Sequence, residues 1–228
     1  MCIFNNQNSH QMKRIIGPTL LFFFINTTFL FAQTALRWAS LIGNQTNATQ
    51  GEFIKTDNNG NVYVGGIFFA NTQLTDSLSL VNIGSSDIFL IKYNSNGQII
   101  WAKSFGGQSQ ENITGLSIDG TGNIYIAGNF KSSNLTIGTN NLSCSGGWDG
   151  LIIKLDANSN VIWSKKEGGL LDDYFTAMDC STNGNFIISG YYNSNSLVIG
   201  TTTLTVSGST EFNAFILKYL SDGSINRI

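Results

Sequence analysis

Histidine, proline and cysteine are nearly missing from these 228 residues: one histidine (His10), one proline (Pro18) and three cysteines. Charged residues are also scarce, at 11%, against a usual ~25%. So little charge excludes a highly charged disordered chain, a single proline excludes a collagen, and three cysteines exclude a disulfide-packed miniprotein. Glycine (25) and hydrophobic residues (42%) are plentiful, among many Asn, Ser and Thr. That balance describes a β protein large enough to bury a core.

Lys13 and Arg14 precede an apolar run from Ile15 to Phe31, which Ala32 and Gln33 close. A basic start, an apolar stretch and a small residue at the cut predict a secretory signal over 1–32. The string MKRII at 12–16 is the more natural start, so 1–11 reads as a mis-assigned start or as part of the signal. Asn26, Thr27 and Thr28 interrupt the run, which leaves it short of the ~20 apolar residues of a spanning helix. Cleavage would leave 33–228, with Lys+Arg falling from 12 to 10 against 14 acidic residues, a net charge of −4. The product is expected to be secreted or at the cell surface, with no membrane span. No basic patch stands out, which argues against nucleic acid or an anionic membrane as partner. His10, Pro18 and Cys2 would leave with the signal. A chain without histidine builds no Ser-His-Asp triad, Cys-His pair, HExxH zinc site or histidine base.

What remains is a repeat. GNVYVGG at 60–66 returns as GNIYIAG at 122–128 and GNFIISG at 184–190, steps of 62 and 62. DIFLIKY at 87–93 returns as DGLIIKL at 149–155 and NAFILKY at 213–219. Trp38, Trp101 and Trp163 share the offset, as do Gly66, Gly128 and Gly190 and the pairs Gly106–Gly107 and Gly168–Gly169. Within each period hydrophobic and polar residues alternate in four runs, the pattern of half-buried strands. Asn-Gly and Asp-Gly turns punctuate them. A lone four-stranded antiparallel sheet cannot cover both faces, so its neighbours must stack on it, and radial stacking of such sheets is a β-propeller. The expectation is all-β, with three blades of about 62 residues at about 45–106, 107–168 and 169–228 and an orphan strand at 36–42. The segments 69–86, 131–148 and 193–212 are longer than a usual blade needs. Blades two and three should each carry an added hairpin there, with blade one looser.

The pattern D-x-x-G-N-x-Y-V-x-G, then D-x-F-L-x-K-Y, then Trp and Gly-Gly, resembles the SBBP group of bacterial β-propeller repeats. The resemblance implies an exported propeller protein and says little of its molecular role. Blade three departs from it, with Arg227 where Trp163 should recur. Three blades are few for a closed ring. The expectation is an incomplete propeller: a truncated member, a half-propeller that exchanges strands with a second chain, or an open three-blade arc prone to self-association through unpaired edges.

The expected role is a non-enzymatic binding or surface-assembly module with a protein or glycan partner, no cofactor and no metal. Its candidate binding residues are Trp148, Asp172, Asp173, Tyr174 and Glu111. Trp148 is a loop aromatic outside the repeat, and the acidic residues lie on loops that gather on one face. The alternatives are a glycan hydrolase or lyase, with Asp172, Asp173 and Glu111 as acid/base groups, or a fragment without an independent role. Trp38, Trp101 and Trp163 should pack between blades rather than stack on sugars. Asp57, Asn59 and Asn61 have a faintly calcium-like spacing without the distal glutamate, and a plain turn is the simpler reading. Cys144 and Cys180 fall at small apolar positions and read as small apolar residues, with a disulfide permitted by the expected compartment.

Overall fold

The computed structural model describes residues 38–43, 48–199, 202–205 and 211–227, and the structural statements below concern these. The expected signal, 1–32, lies outside them. The architecture is all-β with no helix among the described residues. None of them forms a helix long and apolar enough to cross a membrane.

Three four-stranded antiparallel sheets follow one another. The first is β1 (Thr49–Thr56), β2 (Val62–Phe68), β5 (Asp87–Tyr93) and β6 (Ile99–Phe105). The second is β7 (Glu111–Ile118), β8 (Ile124–Phe130), β11 (Asp149–Leu155) and β12 (Val161–Glu167). The third is β13 (Asp173–Cys180), β14 (Phe186–Tyr192), β17 (Asn213–Tyr219) and β18 (Ile225–Arg227). Each sheet pairs in chain order apart from a two-stranded hairpin between its second and third members. These hairpins are β3–β4 (Thr72–Thr75 and Leu78–Leu80), β9–β10 (Leu135–Ile137 and Asn140–Leu142) and β15–β16 (Ser196–Ile199 and Thr202–Thr205). Blade one thus carries the added hairpin as well, with a slip in register between Gln73 and Thr75. The sheets are propeller-type blades and do not close into a barrel.

The register explains the recurring glycines. The first strand of each blade slips against the second at one place: between Gly51 and Phe53, Ile113 and Gly115, and Phe175 and Ala177. At that slip Gly66, Gly128 and Gly190 lie so close to the carbonyls of Gln50, Asn112 and Tyr174 that a Cβ would collide with them. Only glycine lets two backbones approach in this way.

Stacking buries the blades. Tyr63, Ile88 and Leu90 of blade one share a core with Ile113, Leu116, Ile124, Ile126 and Leu151 of blade two. Tyr125, Ala127 and Ile152 of blade two pack with Phe175, Phe186, Ile188 and Leu217 of blade three. Each such leucine or isoleucine contributes about 1.5–3 kcal/mol by leaving water. Polar links repeat across both junctions. Lys92 Nζ donates to Ala157 O at 3.3 Å and Lys154 Nζ to Ser221 O at 2.7 Å. Each of these lysines also lies 5.0 Å from the ring centre of a tyrosine of its own blade, Tyr63 or Tyr125.

Trp101 occupies the first junction: its Nε1 donates to Ala157 O at 3.4 Å. Trp163 lies against Gly223 and stacks on Phe186. Trp38 stacks on Tyr93, with ring centres 5.5 Å apart, and touches Gly97. The orphan strand expected at 36–42 is described from Trp38, and 38–42 shows no strand pairing. Arg227 pairs with Lys218 as Trp101 does with Lys92 and Trp163 with Lys154, so it stands in the tryptophan register.

The third turn of each blade needs a left-handed residue. Gly97 and Gly223 supply it at φ 80°, while blade two uses Ser159 at φ 69°. A side chain costs about 1–2 kcal/mol in that conformation, offset in part by the entropy of an unfolded glycine. Ser159→Gly should therefore stabilise the fold by about 0.5–1 kcal/mol and raise the melting temperature by about 1–4 °C in thermal unfolding.

Candidate binding site on the loop face

Antiparallel order places the Gly-Gly loops and the inserted hairpins at the same end of every blade. This end carries all five candidate binding residues, and they separate into two kinds.

Glu111 and Asp173 open β7 and β13 and are buried, at 0% and 2% exposure. The Gly107 amide donates to Glu111 Oε2 at 2.8 Å and the Ser132 hydroxyl to Oε1 at 2.6 Å. Ser132 Oγ in turn accepts from Ser109 N at 3.0 Å. One blade later the Gly169 amide and the Ser194 hydroxyl donate to Asp173 Oδ2 at 2.6 and 2.8 Å, and Ser194 Oγ accepts from Leu171 N. Each carboxylate thus pins its own Gly-Gly loop to the start of the inserted segment. Burial pushes the Glu111 carboxyl above its ordinary range; the Ser132 and Gly107 hydrogen bonds oppose this, and nearby Asp87 adds to it. The two carboxylates sit in separate, successive junctions and share no cleft.

Asp172, Tyr174 and Trp148 belong to a second group. The Gly147 backbone lies against Asp172 Oδ1, and Trp148 O accepts from Asp173 N at 2.8 Å, which joins the two loops. The Trp148 and Tyr174 ring centres are 5.9 Å apart. Tyr174 reaches its cross-strand partner Tyr191 at 5.0 Å and Phe212 at 6.2 Å, and Tyr191 and Phe212 meet edge to face at 5.0 Å. Lys131 Nζ stands 4.8 Å from the Trp148 ring centre. Burial, then the charge of Asp172, then Tyr191 raise the Tyr174 hydroxyl pKa. The result is a four-ring patch with one carboxylate and one ammonium beside it, and Phe212 remains 49% exposed.

Sequence reasoning missed Tyr191, Phe212 and Lys131 as members of this patch. A signal was there: Tyr191 stands where the other blades have Ile67 and Asn129, and Tyr174 where they have Gln50 and Asn112. Two off-pattern aromatics on paired strands mark a departure from blade packing.

The opposite end consists of turns. Asp57 Oδ1 accepts from Asn59 N and Asn61 N, both at 2.9 Å, and Oδ2 accepts from Asn61 Nδ2 and Tyr63 OH. Asp119 repeats the arrangement with Thr121, Asn123 and Tyr125. Protein donors fill these carboxylates, as in an Asx turn. Among the described residues no group of three or more His, Cys, Asp or Glu is placed to hold a metal. Cys144 and Cys180 are free and half-buried.

No family model matches the chain, so its likeness to SBBP repeats rests on the motifs themselves. The chain is similar to an uncharacterized WD repeat-containing protein, L264, of Acanthamoeba polyphaga mimivirus: 28% identical, covering 58% of this chain and 12% of that protein. It is also similar to the regulatory protein FlaEY of Caulobacter vibrioides: 27% identical, covering 62% of this chain and 15% of that protein. The chain therefore spans less than a sixth of the length of either relative. Both likenesses accord with repeated β structure.

Asp173→Ala strips the acceptor from four donors, the amides of Gly169, Asn193 and Ser194 and the Ser194 hydroxyl, and should cost about 2–4 kcal/mol in urea unfolding, whereas Asp172→Ala should stay within about 0.5 kcal/mol. Asp119 has a pH signature. Burial pushes its carboxyl up, but the hydrogen bonds from Thr121 and Asn123 outweigh this and hold it below 3.8. A carboxyl lowered by folding stabilises the protein fully above its unfolded value, and that stability fades as pH falls through the folded value. Asp119→Ala should thus lower the urea midpoint at neutral pH, and the gap to wild type should narrow below pH 3.8.

Proposed function

We propose that the chain is an exported, non-enzymatic β-propeller repeat module that binds a glycan or protein partner through the aromatic patch on its loop face. The observation that carries this reading is the cluster of Trp148, Tyr174, Tyr191 and Phe212, with Lys131 over Trp148 and Asp172 alongside. Rings gathered outside the blade core expose flat apolar faces edged by single charges. Such faces suit the C–H side of a sugar or an apolar side chain, and aromatic anchors commonly dominate binding energy. The relative named for WD repeats supports the same class, since those repeats are four-stranded propeller blades. A fold alone does not assign a partner.

Two considerations support a binding role over catalysis. Glu111 and Asp173 are buried and held by loop amides and hydroxyls in separate junctions, whereas glycosidic chemistry needs two carboxylates facing one bond. The only histidine, His10, lies in the segment expected to be cleaved. Export rests on Lys13, Arg14 and the apolar run that follows them.

The test is a screen of the purified protein against glycan and protein arrays, followed by titration of the best hit. Trp148→Ala should weaken that hit by about tenfold or more while leaving the melting temperature within a few degrees. Arrays without a hit, or an affinity indifferent to Trp148 and Tyr174, would remove the reading.

A further inference from the structure

An aspartate opens β5 and β11 at the same register, and only one of the two has a counter-cation. Asp87 and Asp149 are both at 0% exposure. Asp149 Oδ2 accepts from Ser145 N at 2.8 Å and from Lys166 Nζ at 3.0 Å, so an ammonium neutralises it. Blade one has Ser104 in the place of Lys166: Phe89 pairs with Ser104 as Leu151 pairs with Lys166. In blade three the acid itself is replaced. Asn213 pairs with Tyr192 as Asp87 pairs with Phe68, and it carries no charge. Of the three positions, Asp87 keeps the carboxylate and lacks the ammonium.

The partners of Asp87 are backbone amides. Ile83 N donates to Oδ2 at 2.7 Å, and the Gly84 amide also donates to the carboxylate. Oδ1 is buried without a partner. Asp149 Oδ1 is likewise bare, but there Lys166 meets the charge. Among the described residues no ammonium lies within ion-pair distance of Asp87. A second acid stands near enough to feel its charge, Glu111 of blade two. The two acids flank one dipeptide. A Cβ on Gly106 would collide with the carboxyl atoms of Asp87, and the Gly107 amide donates to Glu111. A cavity of about 290 Å³ opens at this dipeptide, and the side-chain oxygens of Gln108, Ser133, Asn134 and Thr136 line it. A buried charge without its partner is strongly unfavourable, and an orphaned buried oxygen calls for a bound water or ion.

We propose that an oxygen-seeking divalent cation, with calcium as its type, binds in the first junction on Asp87, beside the Gly106–Gly107 loop. Glu111 supplies the second negative charge, and neutral oxygens of the loop cavity and water complete the shell. Calcium accepts this mixture of carboxylate, amide and hydroxyl or water oxygens in a flexible geometry. The ion does in blade one what Lys166 does in blade two. It also ties the blades together, since Asp87 belongs to blade one and Glu111 to blade two. The site is distinct from the Asp57 turn, whose carboxylate is filled by protein donors. It is independent of the aromatic patch, so it stands or falls apart from the partner reading.

Thermal unfolding of the full chain tests it, first in EDTA and then in calcium chloride from about 0.01 to about 10 mM at constant ionic strength. A ligand that binds only the folded state raises its stability by mass action, so the wild-type melting temperature should climb by about 3 °C or more at saturation. Ser104→Lys should place an ammonium where Lys166 sits in blade two, and its melting temperature should no longer depend on calcium. Asp87→Asn, which installs the residue that blade three uses, should be equally indifferent. Asp57→Asn should respond as the wild type does. A wild-type melting temperature that calcium does not move overturns the proposal. So does a response that persists in Ser104→Lys or in Asp87→Asn, or one that Asp57→Asn abolishes.

Discussion

A four-stranded sheet with two apolar faces is stable only when something covers each face, and the rest of this structure follows from that constraint. Here the cover is the next copy of the same sheet. Tyr63 and Leu90 are sealed by Ile113 and Leu116, and Tyr125 and Ile152 by Phe175 and Phe186. The lysines at 92 and 154 extend the seal to the polar rim, where each lies by a tyrosine ring and donates across the gap. In blade three the equivalent isoleucine, Ile216, is 67% exposed.

The same constraint separates structural from functional polarity on the loop face. A Gly-Gly loop that crosses from one blade to the next exposes backbone amides in a buried setting, and such amides need acceptors. Glu111 and Asp173 meet that need, with Ser132 and Ser194 as relays. Their burial and repetition mark them as fasteners of the stack. The aromatic patch has no such duty. Tyr174 and Tyr191 replace the Asn112–Asn129 pair of the preceding blade, where Asn129 bonds to both the amide and the carbonyl of Phe175. A junction lock has thus been exchanged for rings at the surface.

Much of this was legible in one dimension. The strands, their turns and the stacking requirement follow from periodicity and glycine placement, which are local properties of the chain. The hairpin in blade one was not legible, because NTQLTDSLSL lacks the regular alternation of LTIGTNNLSC; β3–β4 is held by tertiary cover of Thr72 and Leu80. Ser159 was also hidden, since serine carries no sign that its turn demands positive φ.

By itself the sequence determined the repeat of blades and the order of strands, because periodicity and turn residues are local; that β5, β8 and β11 are buried on both faces, and not half-buried as their alternation suggests, came from the stacking of the sheets. Only the tertiary structure decided which carboxylates are consumed and which aromatics meet. Glu111 and Asp173 read as surface acids, but the amides of their own Gly-Gly loops and the Ser132 and Ser194 hydroxyls close on them. Trp148 joined Tyr191 and Phe212 only through the stacking of two sheets. Contacts between side chains on separate strands and loops, such as Trp148 with Tyr174 or Glu111 with Ser132, depend on how the strands pair and the sheets stack, and no local pattern encodes that proximity.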